Sequence, residues 1–376
     1  MLWLTLRSAL NHPGRMLLVL LAFAAIVAEI LILEGFLAGS YTQLRRAVMN
    51  RGGDVIVAQA GVRNFLAARS ILPQQTRAAV EAVPGVAAAH PLALLSLIYE
   101  QDGRLTPIIV VVTDDKGAAE HLVSGHQATA TAEIVIDRSF ADRYGLAPGD
   151  VMTLADYDFK VVGIAEGSAA LFTPFAFLSF DGLIDFYFAS DVAADIAAFP
   201  LLSFLLVDVA PGSDPAQVVR AIDAAVPEAG AILPPDLAAN DVGLGRELLA
   251  PILNLLLVLS YGAGALAIGL FMFVGTRGRR KSLGVLRALG FTTRHLVAGV
   301  IAEAVAIAVL AFPLGVVFAR GFAVLIEARM PVYLVEIGEP FTLLRTAFVV
   351  LAMAALGALS PLRSLMRLDP ASAFRG

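Results

Sequence analysis

No cysteine occurs among the 376 residues. Disulfide frameworks, zinc fingers and thiol nucleophiles are thereby excluded, which suits a cell-envelope domain. No G-x-x-x-x-G-K-[ST] loop is present to cradle ATP phosphates, and no G-x-S-x-G elbow presents a nucleophilic serine. The five histidines are His12, His90, His121, His126 and His295, and none falls in an H-E-x-x-H arrangement. His121 and His126, five apart, do not share one helical face. Neither a metal site nor a hydrolytic site is expected, and the chain is expected to hold no cofactor and to catalyse nothing by itself. Charge is scarce as well: 16% of residues are charged and 58% are hydrophobic, against about 25% charged in ordinary soluble domains. No large basic patch suggests nucleic acid.

Long apolar runs take the place of these features. Met16 to Leu37 is a stretch of 22 mostly apolar residues, enough to cross a bilayer at about 1.5 Å per residue. It exceeds the roughly 7–15 residues of a signal-peptide core, so it reads as a retained span. Pro251 to Val274, Leu296 to Phe318 and Phe341 to Leu362 read as three more. The expected organisation is an interfacial helix (1–15), a span (16–37), a large outer domain (38–248), a span (249–275), a basic loop (276–295), a span (296–319), an outer loop (320–340), a span (341–362) and a tail (363–376). Small residues at four-residue spacing, Ala265 and Gly269, Ala302 and Ala306, Ala304 and Ala308, allow spans to pack closely. Three acids fall within apolar runs. Glu34, near an outer end, reads as reaching water. Glu29 lies deeper and reads either as a satisfied polar contact between spans or as part of a substrate path. Glu303 reads as a structural hydrogen bond.

The net charge of −5 hides an asymmetry. Two Lys/Arg precede Met16, six lie in the loop Thr276 to His295 and three follow Leu362, against the single acid Asp369 in these segments. The loop holds Arg277, Arg279, Arg280, Lys281, Arg287 and Arg294 and no Asp or Glu. Short loops this basic stay in the cytoplasm, which places both termini there and residues 38–248 outside. Leu283, Leu286 and Leu289 recur at helical spacing, with Gly290 where a helix would end. This amphipathic helix is read either as an anchor touching lipid headgroups or as a docking helix for a cytoplasmic partner.

Between the first and second spans the pattern is α+β. Strands are expected at 54–59, 92–100, 106–113, 133–136, 151–154, 159–164, 203–209 and 229–233, with a hairpin turn at 101–104. Helices are expected at 75–83, 138–144 and 214–226. The mixed order argues against a purely parallel sheet. Eight of the 22 phenylalanines fall between Leu171 and Phe204. They read as core packing or as an exposed apolar surface. The fold class is a four-span α-helical membrane protein with a large α+β domain between its first two spans.

The run Arg280-Lys281-Ser282-Leu283-Gly284-Val285-Leu286-Arg287-Ala288-Leu289-Gly290 resembles the R-(K/E)-x-x-G-x-L-(R/K)-A-(L/I)-G signature of ABC-transporter permeases of the MacB/FtsX/LolC type. Ser282 stands where many relatives carry Glu or Ile. Ile134 to Ala141, Gly145-Leu146, Pro148-Gly149-Asp150 and Val162-Gly163-Ile164 resemble that family's extracytoplasmic domain, and Arg367 to Arg375 its C-terminal R-x-D-P-A-x-A-(L/F)-R. By analogy an outer lobe occupies about residues 91–195. The resemblance implies that Arg280, Lys281, Leu283, Gly284, Leu286, Arg287, Ala288, Leu289 and Gly290 meet a separate ATPase, which holds the ATP and magnesium. It implies a dimer with a second copy or a paralogue in the inner membrane, contact with membrane lipids, and mechanical movement of the outer domain. The plan is closest to the DevC and LolC/E branches, the former working with a periplasmic adaptor and an outer-membrane channel. Lipids, lipoproteins, peptides and drug-like molecules are the implied substrates. The alternative is an FtsX-like signalling subunit that switches a cell-wall hydrolase without transport.

Overall fold

The structure is a computed structural model and describes residues 13–66, 68–101, 103–191, 201–278 and 280–359. The first half runs α1 (Pro13–Met49), β1 (Val55–Gln59), β2 (Leu72–Pro73), α2 (Gln75–Glu81), β3 (Val86–Gln101), β4 (Arg104–Val112), β5 (Leu122–Gly125), β6 (Glu133–Asp137), α3 (Arg138–Tyr144), β7 (Val151–Leu154) and β8 (Tyr157–Ala165). It continues with β9 (Ala169–Ala170), β10 (Thr173–Leu178), α4 (Phe180–Ala189), β11 (Leu201–Leu202), β12 (Phe204–Val209), α5 (Pro215–Ala225) and β13 (Ala229–Ile232). The last part is helical: α6 (Pro234–Gly278), α7 (Arg280–Ala288), α8 (Thr293–Arg329) and α9 (Pro340–Gly357). Most of the expected interfacial helix, residues 1–12, and the C-terminal motif lie outside the described residues.

The chain divides into a helical unit (Met1–Ala38, Leu249–Ala328, Val335–Gly376) and a sheet unit (Gly39–Leu248 with Arg329–Leu334). Four helices, α1, α6, α8 and α9, are long and apolar enough to cross a membrane. Inside the helical unit they pack through small residues. Ala304, Ala308, Ala311, Gly315 and Ala319 form a buried stripe on α8, and a Cβ on Gly315 would meet Val27 of α1 at 2.5 Å. Ala265 and Gly269 of α6 lie against Gly357 of α9. Of the spaced pairs in the sequence, Ala304 and Ala308 are fully buried, whereas Ala302 and Ala306 are half-buried. Lipid offers no hydrophobic drive between helices, so backbone closeness supplies the packing.

The helices are longer than the apolar runs that mark them. Helix α1 has 37 residues and α6 has 45, about 55 and 67 Å at 1.5 Å per residue, against a hydrocarbon core of about 30 Å. The apolar run ends near Leu37 but the helix does not, because Ser40 to Met49 contains neither Gly nor Pro. Likewise α8 continues through Arg320 to Arg329, and the connection expected at 320–340 shortens to 330–339. Its breakers, Pro331, Gly338 and Pro340, come late. Pro251 within α6 removes one helical donor.

In the sheet unit, one eleven-stranded sheet runs β13-β1-β12-β3-β4-β10-β6-β8-β5, with β7 on β8 and β9 on β10. β10/β4 and β6/β8 are parallel and the other pairs antiparallel, an α+β arrangement. β3 is long enough to serve two partners. It pairs with β12 up to Leu92↔Phe204 and with β4 from Ala93↔Val112 onward. One face of the β3–β8 half is covered by α3 and α4 through Phe140, Ala141, Leu183 and Phe186. The other face meets Ala47 and Val48 from the end of α1 and Leu237 and Ala238 from the start of α6. β10 therefore carries apolar side chains on both faces: Phe175 and Phe177 in one core, Ala176 and Leu178 in the other. It has no period-two alternation for that reason. The phenylalanine-rich stretch is thus mostly core. Phe188 is the exception, 74% exposed, and Phe199 lies outside the described residues.

Both helix extensions are fastened by polar contacts. Asp241 of α6, buried, accepts the Phe65 amide at 2.9 Å, and Phe65 stacks on Phe204 at 4.8 Å. Burial raises the Asp241 carboxyl against the opposing pull of the Phe65 amide, the Asn64 side chain and the Leu66 amide. Arg51, just past α1, is buried, donates to the Gly117 carbonyl and lies 5.2 Å from the Phe177 ring centre. Burial pulls its guanidinium down to about 10. Gly39 of α1 faces the Leu334 carbonyl so closely that a Cβ would lie 1.9 Å from its oxygen; only glycine fits there.

The motif Ile136-Asp137-Arg138-Ser139 is explained by the fold. Asp137 ends β6 and caps α3, accepting the Ser139 and Ser168 amides at 2.8 Å each. Burial raises its carboxyl above the ordinary 3.8 despite these donors. A carboxyl raised in the folded state contributes stability that is fully present below its unfolded value and is lost as pH rises through the folded one. Asp137→Ala is expected to lower stability by about 1–3 kcal/mol through the orphaned amides. The gap from the parent should narrow as pH rises from about 4. Thermal unfolding of both proteins between pH 4 and 8 checks this; a gap that widens with pH contradicts it.

Candidate functional site: the basic helix and the intramembrane carboxylates

Helix α7 begins at Arg280, and its end is set by backbone geometry. The Phe291 amide donates to the Leu286 carbonyl at 3.2 Å and the Gly290 amide to the Arg287 carbonyl at 3.1 Å. Gly290 sits at φ +94°, so the six-to-one and five-to-two bonds of a Schellman cap are both present. Thr292 then precedes α8, its carbonyl accepting the His295 amide at 3.0 Å. The chain reverses within a few residues.

The two sides of α7 differ. Leu283 packs onto the apolar core of the helical unit and Gly284 is buried, while Leu286 and Arg287 are half-buried. Facing out are Val285 at 45%, Leu289 at 72% and, beyond the cap, Phe291 at 40% exposure, together with Ala288. The side chains of Arg280 and Lys281 lie outside the described residues. The sequence-derived set is thus divided: Leu283 and Gly284 seat the helix, while Ala288 and Leu289 present an apolar ridge. Val285 and Phe291 extend that ridge.

Within the helical unit the acids take three different positions. Glu34 of α1 is 5% exposed and does not reach water as its place near the end of the apolar run suggests. Its Oε1 accepts the Tyr261 hydroxyl of α6 at 3.0 Å and pairs with Arg345 of α9 at 3.1 Å. Its Oε2 lies 2.5 Å from the Thr346 hydroxyl. One carboxylate therefore ties three helices. Glu29, exposed on α1, accepts the Ser260 hydroxyl at 2.8 Å. Glu303 is half-buried on α8. Tyr261, Ser260, Arg345 and Thr346 escape a sequence reading that looks for acids alone. Arg345 carried the signal, since an arginine inside an apolar run demands a partner. Among the described residues no cluster of His, Asp or Glu could hold a metal ion.

Comparison with known proteins bears on both regions. The model of a MacB-like periplasmic core domain matches residues 16–225, and that of the FtsX-like permease C-terminal region matches residues 254–370. An uncharacterized ABC transporter permease of Mycobacterium tuberculosis is 26% identical over 384 residues, with all of both chains covered. A second from that organism is 25% identical over 377 residues, again with full coverage. Among solved structures, the periplasmic region of MacB from Actinobacillus actinomycetemcomitans aligns over 51% of this chain and 94% of its own, with 9% identity and a TM-score of 0.36. The extracellular domain of the noncanonic ABC-type transporter YknZ aligns over 48% of this chain and 100% of its own, with 10% identity and a TM-score of 0.34.

Glu34→Ala leaves the Tyr261 hydroxyl and the Arg345 guanidinium without their acceptor and is expected to cost about 1–3 kcal/mol. Glu34→Gln, which keeps one acceptor oxygen, should cost less. Thermal unfolding of detergent-purified protein ranks the two; parent-like stability of Glu34→Ala would remove the carboxylate from its role as a tie.

Proposed function

The chain belongs to the ABC transporter permeases that join a MacB-like periplasmic core domain to an FtsX-like C-terminal region, and on that footing we propose that it converts ATP hydrolysis by a separate ATPase subunit into movement of its outer domain. The chain is a transport component, a permease with four candidate membrane helices. In the proposed arrangement both termini and α7 are cytoplasmic, following the basic residues of 276–295, and the sheet unit is extracytoplasmic. The ATPase binds the ridge of Val285, Ala288, Leu289 and Phe291. Its ATP and magnesium stay on the ATPase, a reading supported by the lack of a G-x-x-x-x-G-K-[ST] loop in this sequence.

One observation carries the reading. Helices α1 and α6 are each a single helix contributing residues to the apolar core of the helical unit and residues to the apolar core of the sheet unit. In the proposed mechanism a displacement at the membrane end of either helix is passed to the sheet unit, along α1 through its hydrogen-bond ladder and along α6 past Pro251, which lacks one donor. Leu283 is the corresponding contact at α7. Two permease copies, or one copy and a paralogue, would work together, since four spans enclose little. Export or extraction of a lipid, lipoprotein, peptide or drug-like molecule is the expected outcome, with an adaptor and an outer channel where the envelope has a second membrane.

Leu289→Glu places a charge on the apolar ridge without touching Leu283. It is expected to weaken ATPase association by about 2 kcal/mol, roughly thirtyfold, while membrane insertion and thermal stability stay at parent values. Co-purification with the cognate ATPase and permease-dependent ATP hydrolysis report this. Unchanged association would remove α7 as the docking element and favour the lipid-anchor reading.

A further inference from the structure

Two exposed arginines, Arg45 and Arg246, come together where α1 and α6 leave their apolar runs. The helices meet within the sheet unit, where a Cβ on Gly245 would collide with the Leu44 side chain. That contact sets Arg246 beside Tyr41, its guanidinium carbon 5.7 Å from the ring centre, close enough for cation–π attraction. Arg45 follows Tyr41 by four residues on α1, so the two side chains are neighbours on one helix face. Tyr41 is half-buried. No acid follows Glu34 on α1. On α6 the acid after Asp241 is Glu247, whose side chain leaves the helix about 100° around from Arg246. Among the described residues neither Arg45 nor Arg246 pairs with an acid.

Their level along the two helices identifies what they face. Tyr41 and Arg45 lie four and eight residues past Leu37, about 6 and 12 Å at 1.5 Å per residue. Arg246 precedes Pro251, where the apolar run of α6 begins, by five residues, about 7–8 Å. Headgroups add about 5–7 Å to each side of the hydrocarbon core. Helical side chains lean toward the N-terminus of their helix. On α1 that direction is toward the span, so Arg45 leans back into the headgroup layer, as long cationic side chains do beside membranes. On α6 it is away from the span, so Arg246 leans up toward the level of Arg45. Tyrosine is itself a residue of this boundary. The three side chains thus gather at one level, with two positive charges and one hydroxyl among them.

We propose that Tyr41, Arg45 and Arg246 bind the phosphate of an anionic phospholipid headgroup at the outer ends of these two spans. A phosphate accepts from planar guanidinium forks with matching geometry, and the Tyr41 hydroxyl supplies one more donor. A zwitterionic headgroup carries an ammonium of its own, which the arginines repel, so the site favours a headgroup of net negative charge. A headgroup held this way bridges α1 and α6 where both leave the membrane, and makes their movement sensitive to lipid composition. The inference takes its place in the membrane from the four-span reading. It is independent of ATPase docking, which belongs to α7.

The test uses the full chain in vesicles of mixed phosphatidylcholine and phosphatidylglycerol, one or the other lipid carrying a photoactivatable group on its headgroup. Adducts are mapped to peptides by mass spectrometry. Labelling of residues 38–49 and 241–248 by the phosphatidylglycerol probe is expected to exceed that by the phosphatidylcholine probe about 25-fold, each arginine near an anionic surface contributing roughly fivefold. Arg45→Gln with Arg246→Gln should remove this excess and leave labelling of the basic loop 276–295 at the parent level. Arg45→Lys with Arg246→Lys should keep most of it. Arg63→Gln with Arg104→Gln, which removes two exposed charges elsewhere, should keep all of it, and an excess of inorganic phosphate should not displace the lipid. Should the double Gln variant fail to insert, the ratio of the two probes at 38–49 on the parent chain decides the matter. Equal labelling by the two lipids there, an excess that survives Arg45→Gln with Arg246→Gln, displacement by inorganic phosphate, or labelling confined to 276–295, as a second copy covering the arginines would give, overturns the proposal.

Discussion

The fold is built on two long helices, α1 and α6, each with residues in the cores of both units, the second lacking one helical donor at Pro251. A transmembrane helix needs about 20 residues, and these have 37 and 45. The surplus is neither loop nor linker. It is helix packed beneath the sheet, with Ala47, Val48, Leu237 and Ala238 in the same apolar core as Phe175 and Phe177. The proposed mechanical coupling would use these two helices, since each has residues in both units.

Polar contacts fasten these helices within each unit. In the sheet unit Asp241 holds the Phe65 amide and Arg51 the Gly117 carbonyl. In the helical unit Glu34 joins α1 to Tyr261 of α6 and to Arg345 and Thr346 of α9. Apolar packing between small residues gives closeness but little resistance to sliding. A carboxylate with three named donors fixes register, and a buried acid unpaired in hydrocarbon would be costly.

Much of this was legible in the sequence, and what was not has definite causes. The four spans, the basic loop and the α+β domain announced themselves through apolar runs, charge asymmetry and period-two strands. The helix extensions did not, because residues such as Ser40 to Met49 are polar enough to read as domain while having nothing that stops a helix. β10 was hidden because both of its faces are buried, which erases alternation. The role of Glu34 could not be read from one chain position, since its partners lie more than 200 residues away in Tyr261 and Arg345. The division of α7 into a seated side and an outward ridge likewise depends on what Leu283 packs against, although the motif itself was plain.

The measurement closest to the central claim uses the chain's lack of cysteine. A single cysteine at Met49, 44% exposed where α1 ends beneath the sheet, can carry a spin label with no background site to remove. Distances between the labels of the two copies proposed for the complex would be recorded in lipid, with and without ATP bound to a hydrolysis-deficient ATPase. The account predicts a displaced distance distribution on ATP binding, and its loss when Leu289→Glu uncouples the ATPase. A distribution indifferent to ATP in a complex that still binds it would contradict the account, because the two helices would then carry nothing from the membrane to the sheet.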